Sequence, residues 1–300
     1  MDIVFTSGKG KLATQSIYLS RSIRSYGNFD QSFVFIPESE IQNIDGSILR
    51  ELEGKHSIIT EDIPIPDYPI SAKIQGLIEA QRRGESEYTL LVDTDTMVLN
   101  NIRMDVDSDL LAVPINIATD KYWTSSDSQE DWEALYDRFG LEIPEHTITT
   151  VVDQQKIRPY YNAGVVIARD AIGEQWLDWT EEVFQFASDS KKNADQVALG
   201  LLSQDVEFQE LDKKYNYPTH SIKYPSKICI LHYFDLSSII RVRNEDVRGK
   251  IRYTGAYDSI NTDPTIWALL YSSHGYKPII RSKIGRWIKR SRLPSQNIVR

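Results

Sequence analysis

The sequence predicts an α/β domain in which a mostly parallel sheet is covered by helices on both faces. Apolar, strand-like runs alternate with segments of helical periodicity along the first hundred residues, which is typical of βαβ units. The chain has 300 residues and is 41% hydrophobic, enough to bury a sizeable core. Neither an internal repeat nor a low-complexity linker divides it.

The first half supplies this alternation. Strands are predicted at DIVFTS, QSFVFIP, HSIIT and YTLLVD, which are residues 2–7, 31–37, 56–60 and 88–93. Helices are predicted at 12–27 and 71–84. Gly27 ends the first helix, and Pro37 closes the second strand because proline has no N–H for a sheet.

The second half is less regular but continues the same domain. Strands are predicted at 109–117, 162–170, 206–211 and 227–233, and helices at 174–190 and 193–204. Because no Pro, Gly or Ser-rich linker separates the two halves, we assign both to one domain over 1–276. The single cysteine, Cys229, lies in the apolar run KICIL and is predicted to fill core space.

Charge divides the chain near residue 277. Residues 277–300 contain eight Lys or Arg and no acidic residue, so they carry +8 and residues 1–276 carry −17, from 26 basic and 43 acidic residues. Four apolar residues of the tail recur at helical spacing: Ile280, Ile284, Trp287 and Ile288. The tail is predicted to be a basic amphipathic helix that either lies on an anionic membrane surface or docks on the acidic body. No nucleic-acid partner is expected.

The sequence shows neither a targeting segment nor a membrane span. MDIVFTSGKGK lacks the charged and apolar regions of a signal peptide, and no apolar run reaches about 18 residues. The protein is therefore expected in the cytoplasm, peripheral on the inner face of the membrane if the tail binds lipid.

The strongest chemical feature is the carboxylate pair in LLVDTDTMVLN, residues 90–100. In a continuing strand Asp93 and Asp95 would project from one face and converge on one cation. If the strand breaks at the motif, both carboxylates still lie at its rim. Carboxylates suit Mg²⁺ or Mn²⁺. A paired-acid catalyst and a solvated Asx-type turn are the alternatives. Because ligands bind beyond the carboxyl ends of parallel strands, Thr6 and Ser7 are expected in the same crevice.

Five segments, taken in order, resemble glycosyltransferases with the GT-A fold. They are DTD at 93–95 after a helix that carries Lys73, YNAGVVIARD at 161–170, ADQVALGLL at 194–202, LDKKYNYP at 211–218 and ILHYF at 230–234. The resemblance is nearest to the retaining glycogenin and bacterial lipooligosaccharide galactosyltransferase type, glycosyltransferase family 8. It implies a Rossmann-like, mixed but mostly parallel sheet. It also implies transfer of a hexose from a nucleotide-sugar, UDP-glucose or UDP-galactose, to a glycan, lipid-linked or protein acceptor.

The resemblance implies a metal site. Asp93, Asp95 and His232 would bind Mn²⁺, or Mg²⁺, between themselves and the donor diphosphate, and an imidazole favours Mn²⁺. The metal would act as a Lewis acid for the departing nucleotide diphosphate. The alternative for His232 is a hydrogen-bonded core histidine.

The resemblance also implies a nucleotide site. Thr6, Ser7 and Gly8 would contact the base and ribose, since glycine permits close backbone approach. Lys73 would contact the nucleotide or its diphosphate, and the alternative is an exposed helix lysine. Thr94, inside the acidic motif, belongs with these donor-binding residues.

SGKGK lacks the spacing of a P-loop. Lys9 and Lys11 either contact a phosphate of the donor or are solvent-exposed loop lysines.

The resemblance places two groups around the donor sugar. Asn162, Ala163 and Gly164 would lie under it, or alternatively form only a strand entrance. Asp195 and Gln196 would face the sugar from the other side, with Asp195 accepting hydrogen bonds from sugar hydroxyls. Because the Gln196 amide is a poor nucleophile, we expect front-face departure and attack, with its carbonyl stabilising positive charge at the sugar. The alternative for this pair is an ordinary first helical turn.

One segment departs from the family pattern. Close relatives follow the histidine with H-x-x-G-x-x-K-P-W, whose Gly and Lys hold the diphosphate, whereas His232 is followed by YFDLSSIIRVR. Arg241, Arg243 or Lys277 would have to supply the missing charge. Two other functions are also considered: a nucleotidyltransferase acting on a sugar phosphate, disfavoured because no Gly-rich basic loop lies near residues 6–20, and a non-catalytic sugar-nucleotide binding module.

Overall fold

The computed structural model describes residues 1–103, 105–118, 129–186, 193–219, 227–242 and 244–256, with the side chains of 240 and 241 excepted. Met1–Ala256 form one compact unit. The predicted tail, with Lys277, and residue Arg243 lie outside the described residues.

Eight α-helices and twelve strands are found in the described residues. The helices are α1 Lys11–Tyr26, α2 Glu38–Ile41, α3 Gly46–Glu53, α4 Ser71–Arg83, α5 Gln129–Arg138, α6 Ile172–Phe186, α7 Ala194–Leu202 and α8 Glu245–Tyr253. The strands are β1 Asp2–Thr6, β2 Ser32–Pro37, β3 Ser57–Glu61, β4 Tyr88–Val92, β5 Thr96–Val98, β6 Leu110–Pro114, β7 Ile148–Thr149, β8 Lys156–Ile157, β9 Tyr161–Arg169, β10 Phe208–Glu210, β11 Tyr217–Pro218 and β12 Ile230–His232.

A seven-stranded sheet forms the centre, in the order β10-β6-β9-β4-β1-β2-β3. Strands β4, β1, β2 and β3 are parallel, and β10 is parallel to β6. Strand β9 is antiparallel to both of its neighbours, β4 and β6. The prediction of a mixed, mostly parallel sheet is therefore confirmed.

Each face of the sheet has its own hydrophobic core. Along β1, Val4 packs in one core with residues of α4, whereas Ile3 and Phe5 pack in the other with residues of α1. Successive strand residues point to opposite faces, so a strand covered by helices on both sides must be apolar throughout. This explains why DIVFTS reads as a continuous apolar run, and it confirms helices on both faces.

Helix α4 approaches the sheet closely at Gly76. A Cβ added there would lie 2.8 Å from the Cβ of Phe35 on β2. Packing therefore requires a residue without a side chain here. The glycine allows α4 to lie close to the strands that end at the crevice.

A three-stranded sheet brings two distant segments together. β12 pairs antiparallel with β5, with His232 opposite Thr96, and parallel with β11. This pairing places His232 beside the acidic motif. Cys229, just before β12, is buried, as predicted.

Several short elements were not predicted from the sequence. Helix α3 begins after Asp45, whose carboxylate accepts the N–H of Ser47 at 2.8 Å, and β5, β11 and α5 were also missed. Strands predicted at 206–211 and 227–233 are shorter than expected. Among the described residues no helix is long and apolar enough to cross a membrane.

Candidate functional site

The acidic motif forms a turn at the carboxyl end of β4. The strand ends at Val92, and Asp93 O accepts both the N–H of Thr96 at 3.1 Å and its hydroxyl at 2.7 Å. Of the two possibilities, a continuing strand or a break at the motif, the structure has the break, because these bonds to Asp93 O turn the chain into β5. Thr94 points into the fold, where its hydroxyl donates to Thr6 O at 2.5 Å.

Asp93, Asp95 and His232 converge on one point. One ligand atom from each of the three side chains lies within 4.8 Å of the others, and His232 Nε2 is 3.1 Å from Asp95 Oδ1. Two carboxylate oxygens and an imidazole nitrogen form a donor set that a divalent cation can use. The residues present thus fit a divalent cation.

The pKa values of the two carboxylates are shifted in opposite directions. Burial raises the pKa of Asp93, although the ammonium of Lys73 opposes this. Burial acts in the same sense on Asp95, but the positive charge of His232, when its ring is protonated, outweighs it and lowers the pKa of Asp95. Both carboxylates lie in a crevice partly shielded from water, where a nearby positive charge favours their ionised forms.

Gly164 leaves room for this cluster. A Cβ at Gly164 would lie 2.6 Å from His232 Cε1 and 2.8 Å from both Asp93 Oδ2 and Asn162 Oδ1. The backbone also ties β9 to the motif, because Gly164 O accepts the N–H of Asp93 at 2.7 Å. The close approach explains physically why glycine occupies this position, between two predicted ligands.

The side chain of Lys73 is 12% exposed and lies between Asp93 and Asp195. Its ammonium lies 2.8 Å from Asp195 Oδ2 and 3.2 Å from Asp93 Oδ1, and it donates to Ala163 O at 3.0 Å. Burial works to lower the pKa of Lys73, but the charges of Asp195 and Asp93 raise it above its usual value. The reading of Lys73 as an exposed helix lysine is therefore wrong.

Asp195 opens helix α7 and is almost fully buried, at 2% exposure. Besides Lys73, its carboxylate accepts the hydroxyl of Tyr68 at 2.7 Å, and its backbone carbonyl accepts Trp176 Nε1 at 2.9 Å. The side chain of Asp195 is thus fixed in position by its partners.

Gln196 follows at the cavity wall. Its Oε1 is buried and receives no hydrogen bond from the described residues.

A cavity of about 470 Å³ joins these groups at the carboxyl ends of β1 and β4. Its lining residues are Thr6, Lys11, Leu12, Gln15, Pro69, Ile70, Ala72, Lys73, Val92, Asp93, Thr94, Asp95, Asn193, Asp195 and Gln196. Leu12 and Ile70 were missed by the sequence analysis. They are 44% and 41% exposed. No local sequence pattern predicts that these two apolar residues are exposed.

Some predicted donor contacts lie outside this lining. The hydroxyl of Ser7 is buried and bonds Ser16 at 2.9 Å, so its predicted contact with ribose is not supported; the side chain points towards α1 instead. Gly8 is buried next to Leu12. Asn162, Ala163 and Gly164 lie behind the carboxylates and Lys73 rather than on the cavity wall.

Residues 3–207 match the family model of the Rhodobacterales glycosyltransferase domain. The solved galactosyltransferase LgtC, in complex with donor and acceptor sugar analogues, matches with a TM-score of 0.50 and 16% identity, over 89% of this chain and 99% of that chain. An active-site mutant of LgtC matches with a TM-score of 0.50 and 15% identity over the same shares.

The glycosyltransferase GlyE of Streptococcus pneumoniae matches with a TM-score of 0.49 and 13% identity, over 99% of this chain and 66% of that chain. No curated protein matches the sequence. The likeness to LgtC shows the GT-A fold that was predicted.

Proposed function

Because the chain belongs to the Rhodobacterales glycosyltransferase domain family, and is therefore a glycosyltransferase, we propose that it transfers a hexose from a nucleotide-sugar with the help of a divalent cation. The donor is proposed to be UDP-glucose or UDP-galactose and the acceptor a glycan, a lipid-linked sugar or a protein. Retention of the anomeric configuration is part of the proposal.

The observation that carries the proposal is the convergence of Asp93, Asp95 and His232 beside the cavity. These residues would hold Mn²⁺, or Mg²⁺, and the ion when bound would serve as Lewis acid for the departing nucleotide diphosphate. The protein contributes the ligand oxygens and nitrogen, and Gly164 contributes the space in which they meet.

Two lysines have different roles in this proposal. Lys73 makes three contacts with protein acceptors, and an ammonium has three donors. Lys73 therefore neutralises Asp93 and Asp195 rather than binding the diphosphate directly.

Lys11 lines the same cavity, with its ammonium 3.3 Å from Phe234 O and 3.5 Å from Asp235 Oδ2. We assign to Lys11 the phosphate contact that the missing lysine after His232 would otherwise make.

The sugar would be bound between the carboxylates and α7. The carboxylate of Asp195 has lone pairs beyond those that accept from Tyr68 and Lys73. These lone pairs would accept hydrogen bonds from sugar hydroxyls. Gln196 presents its unpaired carbonyl to positive charge that develops at the anomeric carbon.

In the described part of the cavity lining the only carboxylates are Asp93, Asp95 and Asp195, and each has a place in binding. Front-face attack, in which the departing phosphate accepts the acceptor proton, needs no further base.

Hydrolysis and transfer assays with a panel of nucleotide-sugars test the proposal. The wild-type protein is expected to release nucleoside diphosphate in the presence of Mn²⁺, and Asp95→Asn is expected to lose at least about 10²-fold in rate. Asp105→Asn is the matched control, because Asp105 lies with Met1 and Tyr88 at the amino ends of β1 and β4, away from the carboxyl ends that form the site.

Failure of the wild-type protein to turn over any donor, with UDP still bound, contradicts the proposal and supports the binding module. Release of pyrophosphate from a nucleoside triphosphate and a sugar phosphate supports the nucleotidyltransferase instead.

The basic tail at 277–300 motivates a proposal about the acceptor. A lipid-linked acceptor would be presented at an anionic membrane surface. Each basic residue close to such a surface strengthens membrane binding by about 1 kcal/mol. In vesicle flotation the full chain is expected to rise with anionic but not neutral vesicles. Equal recovery with both kinds of vesicle contradicts this.

A further inference from the structure

The ring of His232 is enclosed between two polar neighbours. Its Nδ1 lies 2.9 Å from Oδ1 of Asn216, and its Nε2 lies 3.1 Å from Oδ1 of Asp95 on the other side. His232 and Asn216 are each 2% exposed. Because each ring nitrogen faces a protein oxygen, these neighbours decide which nitrogen of the neutral ring carries the proton.

A second carboxamide fixes the orientation of Asn216. The side-chain oxygen of Asn162 accepts the backbone N–H of Gly164 at 2.8 Å, which identifies that atom as an oxygen. The same oxygen receives a hydrogen bond from Nδ2 of Asn216 at 2.9 Å. Asn216 must then turn its own oxygen towards His232, and an amide oxygen only accepts hydrogen bonds.

We propose that Asn216 is a positioning residue that keeps the proton of neutral His232 on Nδ1 and so leaves the lone pair of Nε2 facing Asp95. In this tautomer Nε2 and Asp95 Oδ1 are two acceptors 3.1 Å apart, which attract a cation between them. In the other tautomer Nε2–H would donate to Asp95, and the site would lose its nitrogen ligand. The use of Nε2 for metal rests on the proposed function, whereas the tautomer is a property of the metal-free protein.

Two substitutions separate this role from a purely structural one. Asn216→Leu removes the acceptor for Nδ1–H and also the bond to Asn162. Asn216→Asp keeps an acceptor for Nδ1–H but cannot donate to Asn162, so it removes the structural bond; its negative charge beside the ring further favours a proton on Nδ1.

Asn100→Leu is the matched control. Asn100 donates to Ile228 O ahead of β12 and accepts from Lys250, without contact to His232.

Nitrogen NMR of the metal-free full chain, labelled at histidine, reads the tautomer directly. The chain has five histidines, and loss of one signal set in His232→Gln assigns the ring. At a pH high enough for a neutral ring, the wild-type protein, Asn216→Asp and Asn100→Leu are expected to carry the proton on Nδ1. Asn216→Leu is expected to carry it on Nε2. A proton on Nε2 in the wild-type protein, or on Nδ1 in Asn216→Leu, overturns the proposal.

Titration with Mn²⁺ alone links the tautomer to the metal. Asn216→Leu is expected to bind Mn²⁺ about 10- to 100-fold more weakly than the wild-type protein. Asn100→Leu is expected to match the wild-type protein and Asn216→Asp to bind Mn²⁺ at least as tightly, even where urea denaturation shows that they are less stable. Absence of Mn²⁺ binding by the wild-type protein contradicts the metal-dependent function, while the NMR result separately decides the role of Asn216.

Discussion

Substitution of Gly164 by alanine should disable the proposed metal site from within β9. The added Cβ would lie 2.6 Å from His232 Cε1, and ordinary contact begins at 3.4 Å, so the imidazole must move by about 0.8 Å (3.4 − 2.6). Metal–ligand distances tolerate about 0.2 Å. Since the same Cβ also approaches Asp93 Oδ2 at 2.8 Å, two of the three ligands are disturbed. We expect Mn²⁺ affinity to fall by more than about 100-fold and the free energy of unfolding by about 1–3 kcal/mol, the usual cost of overpacking.

Calorimetric titration with Mn²⁺ and urea denaturation measure the two effects of Gly164→Ala. Gly249→Ala is the matched control, because Gly249 lies inside α8 and a Cβ there meets nothing within 4 Å. It should stabilise the protein by about 0.5–1 kcal/mol and leave Mn²⁺ binding unchanged. A dissociation constant for Gly164→Ala within about threefold of the wild-type value would refute the reasoning from contact distances.

Two further predictions concern a buried histidine and a cavity lysine. Burial lowers the pKa of His56 to about 4, so the stability that its neutral form contributes is present above about pH 6.5 and is lost progressively as the pH falls from about 6.5 to 4. Between pH 7 and pH 5 the free energy of unfolding, measured by urea denaturation, should fall by about 2 kcal/mol in the wild-type protein. The His56→Gln variant should not show this fall, and an equal fall in the variant contradicts the prediction. Lys11→Ala should raise the KM for the nucleotide-sugar about tenfold without changing Mn²⁺ affinity. Lys9→Ala should not raise it, because Lys9 pairs with Glu40 at 2.8 Å, and equal KM values for the two variants would remove Lys11 from the phosphate site.

The sequence identified the chemical groups of the site better than their contacts. The motif at Asp93 and Asp95 marked the carboxyl end of a strand, because apolar runs and polar ends follow from simple burial. Whether the chain continued or turned at Asp93 depended on bonds from Thr96, which strand periodicity does not encode. The proximity of His232 depends on its pairing with β5, a long-range contact that local pattern does not specify.

Buried polar contacts were the least predictable features. Lys73 lies on a helix whose sequence suits an exposed lysine, yet its ammonium is enclosed by groups from β9 and α7 and from the motif. Asn216 was noted only as part of a segment, and its bonds to His232 and Asn162 appear only in three dimensions. Ser7 was expected to contact the donor but bonds Ser16, since α1 packs on that side of β1.

The most direct test of the central claim is anomalous diffraction from crystals soaked with Mn²⁺ and UDP-glucose or UDP-galactose. We predict one manganese peak bonded to Asp93, Asp95 and His232 Nε2, at about 2.0–2.3 Å from each ligand atom, with the donor diphosphate completing its coordination. A donor bound in the cavity without manganese at these three residues would contradict the account.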